Sequence, residues 1–317
     1  MKILMASDFH IKTTAPEGRI DNFFEVQKGK WQYIFQTAKE EGVDIILQAG
    51  DLFDKPTPPY TLLVAFIHMI METGIPFHCI YGQHDMMMRS TDIGRTALGL
   101  MKTVGMAEVL NTEGMWVVGS RKDSVRLFGM NFGDDYKELE KGLKKSSGED
   151  CPKILVVHDM IGNEPLFPGH KITDAKKFLA TWKEFDVILC GDYHYDFYEE
   201  LDERVILNTG CLLRLSRTER DMKRHPHFYI LDTQVLFKSP ERLRKFYVPI
   251  KPWQNVFRIQ EKPEVETVQL IEFIERLKTS EKVGISFLDN LNIYFEENNV
   301  RKEVKEIIEG VMENEYS

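Results

Sequence analysis

At 317 residues the chain has room for one large α/β domain, a smaller appendage and a sizeable core. A hydrophobic content of 43% with 29% charged residues is ordinary for a globular protein. The formal net charge of −9 argues against a blanket nucleic-acid binder and against attraction to anionic membranes, so any nucleic-acid contact has to come from local basic patches or bound metal.

Lys2 to Ala6 reads as a first strand ending at Ser7-Asp8-Phe9-His10. After a loop rich in Thr, Pro and Gly, apolar Trp31, Ile34, Phe35 and Ala38 predict a helix from Lys30 to Glu41, stopped by Gly42. Asp44 to Ala49 is a second strand, closing on Gly50-Asp51-Leu52-Phe53-Asp54. A Pro-rich loop then leads into a helix from Tyr60 to Glu72 that is apolar on nearly every face. Such a helix is either buried all round or gives one face to a subunit contact. Pro76 to Tyr81 forms a third strand, leading to Gly82-Gln83-His84-Asp85 and an exposed Met86-Met87-Met88-Arg89 loop.

A helix is expected over Ile93–Val104, a hairpin over Met115–Gly119 and Val125–Met130, and a surface helix over Tyr136–Lys145. Lys153 to Val157 runs into His158-Asp159, and Phe185 to Cys190 into Gly191-Asp192-Tyr193-His194. Short strands follow at Phe197–Glu200, Val205–Leu207, His227–Leu231 and Phe246–Pro249. Near residue 255 the character changes: an amphipathic helix at Glu264–Lys278, strand-like runs over Gly284–Phe295 and a polar helix at Arg301–Met312 predict a small C-terminal domain. The domain division is therefore 1–254 and 255–317. Cys79, Cys151, Cys190 and Cys211 never form a CxxC and read as reduced thiols used as small core residues. The first residues enter a strand at once, and no stretch approaches the roughly 20 apolar residues of a membrane span, so a cytoplasmic location is expected.

Five strand ends thus finish in Asp or His: Asp8-x-His10, Gly50-Asp51, Gly82-Gln83-His84-Asp85, His158 and Gly191-Asp192-x-His194. Strand ends of an open α/β sheet converge on one crevice, where such folds bind their ligands. Carboxylate, imidazole and amide oxygen together suit first-row divalent cations better than the all-oxygen shell of calcium or the thiolates of structural zinc. Two cations about 3.5–4 Å apart can clamp the attacking and departing oxygens at phosphorus. Such a pair needs a shared anionic ligand, and Asp51 stands at the right place in the order. His68, His78, His170, His225 and His227 fall outside the pattern and read as core or surface.

This order of motifs resembles that of the calcineurin-like metallophosphoesterases. Gly50-Asp51-Leu52-Phe53-Asp54 with the loop and helix after it, and Asn208-Thr209-Gly210-Cys211-Leu212-Leu213-Arg214-Leu215-Ser216, are similar to the Mre11/SbcD nuclease branch over roughly residues 1–250. The resemblance implies a four-layer α/β/β/α sandwich with a small C-terminal α+β capping domain. It implies a manganese-dependent DNA exonuclease/endonuclease of DNA repair, with two divalent ions for which Mg2+, Zn2+ or Fe2+ are alternatives. It further implies a homodimer through the helices near 60–72 and 93–104, and a Rad50/SbcC-like ATPase partner. Residue by residue, Asp8, His10, Asp51 and His194 would hold one ion and Asp51, Gln83, His158 and Asp192 the other. His84 would contact the scissile phosphate, with Asp85 in support. The family has Asn at Gln83 and usually His at Asp192, so both departures fall on the second ion.

Arg214, Arg217, Arg220, Lys223 and Arg224 form the densest basic run, with Lys238, Arg242, Arg244 and Lys245 a second; each is either a solvated face or a track for a DNA backbone. Two competing readings remain: a calcineurin-like hydrolase of small phosphoesters, and a non-catalytic scaffold binding DNA or an ATPase.

Overall fold

The computed structural model describes residues 1–119, 123–149, 151–166, 169–235 and 242–258. Lys238 and the expected C-terminal elements over 264–312 lie outside the described residues. In chain order the elements are β1 (Lys2–Ala6), α1 (Phe23–Glu40), β2 (Ile45–Ala49), α2 (Tyr60–Thr73), β3 (Phe77–Ile80), α3 (Ala97–Thr103) and β4 (Glu108–Val109). Then come β5 (Met115–Val118), β6 (Ser124–Met130), α4 (Tyr136–Lys145), β7 (Lys153–His158), β8 (Ile161–Gly162), β9 (Thr173–Asp174) and α5 (Ala175–Thr181). The last are β10 (Val187–Gly191), β11 (Phe197–Leu201), β12 (Arg204–Asn208), α6 (Glu219–Lys223), β13 (His227–Asp232) and β14 (Leu243–Tyr247).

Two six-stranded sheets, ordered β14-β13-β1-β2-β3-β4 and β11-β12-β10-β7-β6-β5, lie face to face. Side-chain alternation shows why. Ile3 and Met5, Ile45 and Leu47, Ile154 and Val156, Val187 and Leu189, and Val205 and Leu207 meet in one core between the sheets. The intervening Leu4, Ala6 and Ile46 face α1, α2 and α3. Leu155, Val157, Ile188 and Cys190 face α5 with Leu139 of α4. The strands are apolar on both faces because each sheet is covered by helices on one side and by the other sheet on the other, so neither face meets water. This is the expected four-layer α/β/β/α sandwich. Phe66 of α2 anchors the first helical layer, with the rings of Phe9, Trp31, Phe35, Phe53 and Phe77 at 5.5–6.2 Å from its own.

Some expectations shift. α1 begins seven residues before Lys30, because the Asn22 side chain caps it by accepting from the Glu25 amide and Phe23 is buried against the core. α2 is not enclosed: Leu62, Leu63, Phe66, Met69 and Ile70 are buried, while Tyr60, Val64 and Met71 are 81%, 50% and 58% exposed. The Ile93–Val104 helix is broken at Thr96, whose side chain caps α3 by accepting from the Gly99 amide after a 3-10 turn over Ile93–Arg95. α5 and α6 were not expected. Each is short, and α5 carries its start signal in Asp174, which accepts from the Lys177 amide. Cys79, Cys190 and Cys211 are buried and Cys151 partly so, all as free thiols.

Candidate metal centre

β1, β2 and β3 run parallel, as do β7 and β10, so their carboxyl ends open along one edge of the sandwich. There the two sheets approach closely, and glycine is obligatory for steric reasons. A Cβ on Gly82 would strike the Asp51 carboxylate and His158, and one on Gly191 would strike the Ala49 carbonyl and His158. The backbone bends sharply as it leaves the strands. Asp8, His10, Asp51 and Asp192 have φ of 47°, 46°, 50° and 76°, a left-handed conformation that costs a non-glycine residue about 1 kcal/mol or more. Four of the seven expected ligands are held in this region.

The turns bring ligand atoms together. Asp8, His10, Asp51 and His194 each offer an atom within 4.8 Å of the others. His10 Nε2 lies 3.0 Å from His194 Nε2 and 3.6 Å from Asp51 Oδ2. On the far side of Asp51, its Oδ2 is 3.5 Å from His158 Nε2, which is itself 3.0 Å from Gln83 Oε1. Asp192 meets this group through Gln83 and Asp8. Its Oδ1 accepts from Gln83 Nε2 at 2.8 Å, and its amide donates to Asp8 Oδ1 at 3.1 Å. His84 is exposed beside the centre, its amide donating to Asp51 Oδ1 at 3.0 Å. Asp85 is buried and clamps two motifs together, accepting from the amides of Leu52, Phe53 and Gly82 at 2.9–3.2 Å.

Asp54 is the residue that reading the sequence passed over. It forms a second group with His10 and His84, and its Oδ1 accepts from Lys12 Nζ at 3.0 Å. The Gly-Asp-x-x-Asp spacing was its signal.

The electrostatics are those of a cation-binding cluster. Burial pushes Asp8 up to about 6 against the pull of His158 and His10. Burial acts the same way on Asp51, yet the His158, His10 and His84 rings hold it below the usual carboxylate range. His158 rises to about 10, because Asp51, Asp8 and Asp192 outweigh its desolvation. His194 falls to about 3 through burial and the adjoining His10. Asp8 Oδ2 and Asp51 Oδ2 are buried without a hydrogen-bond partner. A carboxylate oxygen taken from water and given no donor is costly, and a divalent cation compensates it. The donor set and its orphaned oxygens therefore fit divalent metal.

The basic run after the last motif divides. Arg214 and Arg224 are buried, 3% and 9% exposed, and serve their own chain. Arg224 donates to the carbonyls of Cys211 and Leu213, Lys30 Nζ to that of Leu212 at 2.6 Å, and Arg19 to that of Arg214 at 3.0 Å. Four consecutive carbonyls are thus each held by a basic side chain. Arg217, Arg220 and Lys223 are nearer the surface, paired with Glu17, Glu164 and Glu219. In the second run, Arg242, Arg244 and Lys245 pair with Glu200, Glu41 and Asp196.

The sequence profile of the calcineurin-like phosphoesterases matches residues 1–196, which carry every strand end of the centre. Among curated proteins, the chain is similar to the DNA double-strand break repair protein Mre11 of Methanosarcina mazei, 25% identical over 229 residues, or 70% of this chain and 35% of the relative. Mre11 of Methanosarcina acetivorans is 28% identical over 238 residues with the same coverage, so the chain spans about a third of these relatives' length. A putative 5'-nucleotidase from Staphylococcus aureus shares the fold, with a TM-score of 0.54 at 13% identity over 86% of this chain and 58% of that one. The profile match covers more than half of the chain and coincides with the clustered strand ends, and the chain is therefore a member of the calcineurin-like phosphoesterase family.

Proposed function

We propose that this chain is a metal-dependent DNA nuclease that hydrolyses phosphodiester bonds in DNA end processing. The observation that carries the reading is the pairing of two orphaned buried carboxylates, Asp8 and Asp51, with an exposed His84 beside them. Asp8, His10, Asp51 and His194 would hold one divalent ion, with Asp51, Gln83 and His158 facing a second and Asp192 beside Gln83. Mn2+ is the favoured metal. Bound divalent cations supply Lewis acidity toward phosphate and lower the pKa of water.

The chain's own residues supply the rest. The Asp54 carbonyl accepts from His84 Nδ1 at 3.1 Å, which leaves Nε2 to meet the phosphate. Water attacks phosphorus and gives up a proton, the bond to the sugar oxygen breaks, and His84 in its imidazolium form gives that oxygen the proton on Nε2, the proton released by the water later recharging the ring. Asp85 keeps the Asp51 and Gln83 turns in register.

The similarity to Mre11 proteins supports DNA as the substrate and a Rad50/SbcC-like ATPase as the partner. The exposed Tyr60, Val64 and Met71 of α2, with Leu100 and Val104 beside them, support a homodimer through this layer. A cavity of about 530 Å3 between Pro59, Tyr60, Leu63, Ala97 and Leu100 would receive the partner's side chains. No helix among the described residues is long and apolar enough to cross a membrane.

A second reading, hydrolysis of small phosphodiesters, has one observation in its favour. A probable cyclic nucleotide phosphodiesterase of Psychrobacter arcticus is 31% identical over 91 residues. Incubation with Mn2+ and end-labelled DNA beside bis-p-nitrophenyl phosphate separates the two. DNA degradation is expected; turnover of the small ester alone would overturn the nuclease reading.

A further inference from the structure

Asp8 and His194 face one side of Asp51, and the other side holds an unusual pair. Gln83 presents Oε1 to His158 Nε2 at 3.0 Å and donates from Nε2 to Asp192 Oδ1 at 2.8 Å. Its amide therefore stands between the imidazole and the carboxylate. His158 Nδ1 lies 2.7 Å from the Ala49 carbonyl, which can only accept, so Nδ1 carries a hydrogen and Nε2 is the nitrogen turned toward the centre. Gln83 Oε1, His158 Nε2 and the orphaned Asp51 Oδ2 converge, with separations of 3.0 and 3.5 Å. Donors sharing a cation at about 2.1 Å stand roughly 3.0–3.4 Å from one another.

Asp192 lies outside that trio. Its Oδ1 is engaged by the Gln83 amide nitrogen at 2.8 Å, and its turn is pinned by the amide bond to Asp8 Oδ1 at 3.1 Å. An amide has two ends of nearly equal size, one a donor and one an acceptor, and nothing in a glutamine's own shape decides which faces a cation. A carboxylate can only accept and therefore decides it.

We infer that Asp192 is a positioning residue acting through Gln83: its carboxylate holds the amide nitrogen, so that Oε1 is the end delivered to the second cation. This rests on the two-cation reading. It replaces the expectation that Asp192 binds the ion directly, and it makes Gln83 and Asp192 one functional unit. A ligand's outer partner typically changes metal affinity by about 10–100-fold.

The test is a Mn2+ titration of the full chain by calorimetry, with electron paramagnetic resonance to identify the coupled pair of ions. Asp192→Asn keeps an oxygen that accepts from Gln83 and loses the charge; Asp192→Ala loses both. In the expected result, D192A weakens the second ion by about 10–100-fold, and D192N, whose oxygen can still accept from Gln83 but whose amide can also turn its donor end to it, weakens it by less. In a Gln83→Ala background, adding D192A costs nothing further, since the group through which Asp192 acts is gone. The first binding event, unchanged throughout, shows that the variants are folded. Equal weakening of D192N and D192A would make Asp192 a direct anionic ligand and overturn the proposal, as would additive losses in the double variant or no loss in D192A. Uptake of a single Mn2+ by the unaltered chain would sink the two-cation reading, and the proposal with it.

Discussion

His84 Nδ1 lies 3.1 Å from the backbone carbonyl oxygen of Asp54, and this contact, with the His10 ring edge-on at 4.9 Å between centroids, orients the exposed ring. The imidazole reaches the metal centre by position alone and is outside the cluster that shares Asp8 and His194. His84→Ala is therefore expected to lower DNA cleavage by about 10²–10⁴-fold while leaving Mn2+ affinity within about 2-fold. Single-turnover cleavage and calorimetry on the same preparation check it. A parallel loss of metal binding would make His84 a ligand.

Of the basic run, Arg217, Arg220 and Lys223 are near the surface, and the first two serve as the test positions. Arg220 also lies over the Tyr195 ring at 3.7 Å, which aims it. Arg217→Glu with Arg220→Glu should weaken DNA binding and reduce the slope of log K against log salt by about 1–2. Binding measured at several salt concentrations tests this; an unchanged slope returns both residues to the role of solvated ion pairs.

The apolar strip on α2 and α3 gives a third expectation. Val64→Glu with Leu100→Glu places charge on residues that are 50% and 42% exposed, so folding should be spared. Light scattering at micromolar concentration should then show a dimer for the unaltered chain and a monomer for the variant. A monomer in both cases would contradict the homodimer.

His227 offers a pH dependence away from the metal ligands. It is 4% exposed, and burial together with Lys245 lowers its pKa to about 4. An unfolded chain takes up this proton below about 6.5, and the folded one only below about 4. Stability from this residue is thus complete above pH 6.5, falls as the pH drops toward 4, and is constant below. The loss amounts to at most about 3 kcal/mol. Urea unfolding at pH 7.5 and 4.5 should show His227→Phe losing less stability than the unaltered chain; an equal loss in both would assign the dependence elsewhere.

The short apolar runs of β1, β2, β7 and β10, each closed by turn residues, were enough to place the strands and their terminal Asp and His residues, because run length and turn chemistry are local properties. The same holds for α4, whose bounds Tyr136–Lys145 are those expected. What local pattern cannot carry is the partner. Nothing near Arg214 or Arg224 in sequence shows that they point inward to carbonyls, and nothing near Gln83 shows that its amide meets Asp192, 109 residues away. Helix starts fixed by one side-chain cap, at Asn22, Thr96 and Asp174, were likewise hidden, since such residues are equally at home in loops.

The stretch Cys211–Arg214, held by basic side chains, has a consequence for motion. Its Cys211 amide donates to the His194 carbonyl and its Leu212 amide to the Asp8 carbonyl, both at 3.0–3.1 Å. Lys30 of α1, Arg19 before it, Arg224 just after α6 and the two ligand turns are therefore tied through four peptide units. They should open together, and the exchange rates of those two amide hydrogens with solvent report how often this cradle of basic side chains comes apart.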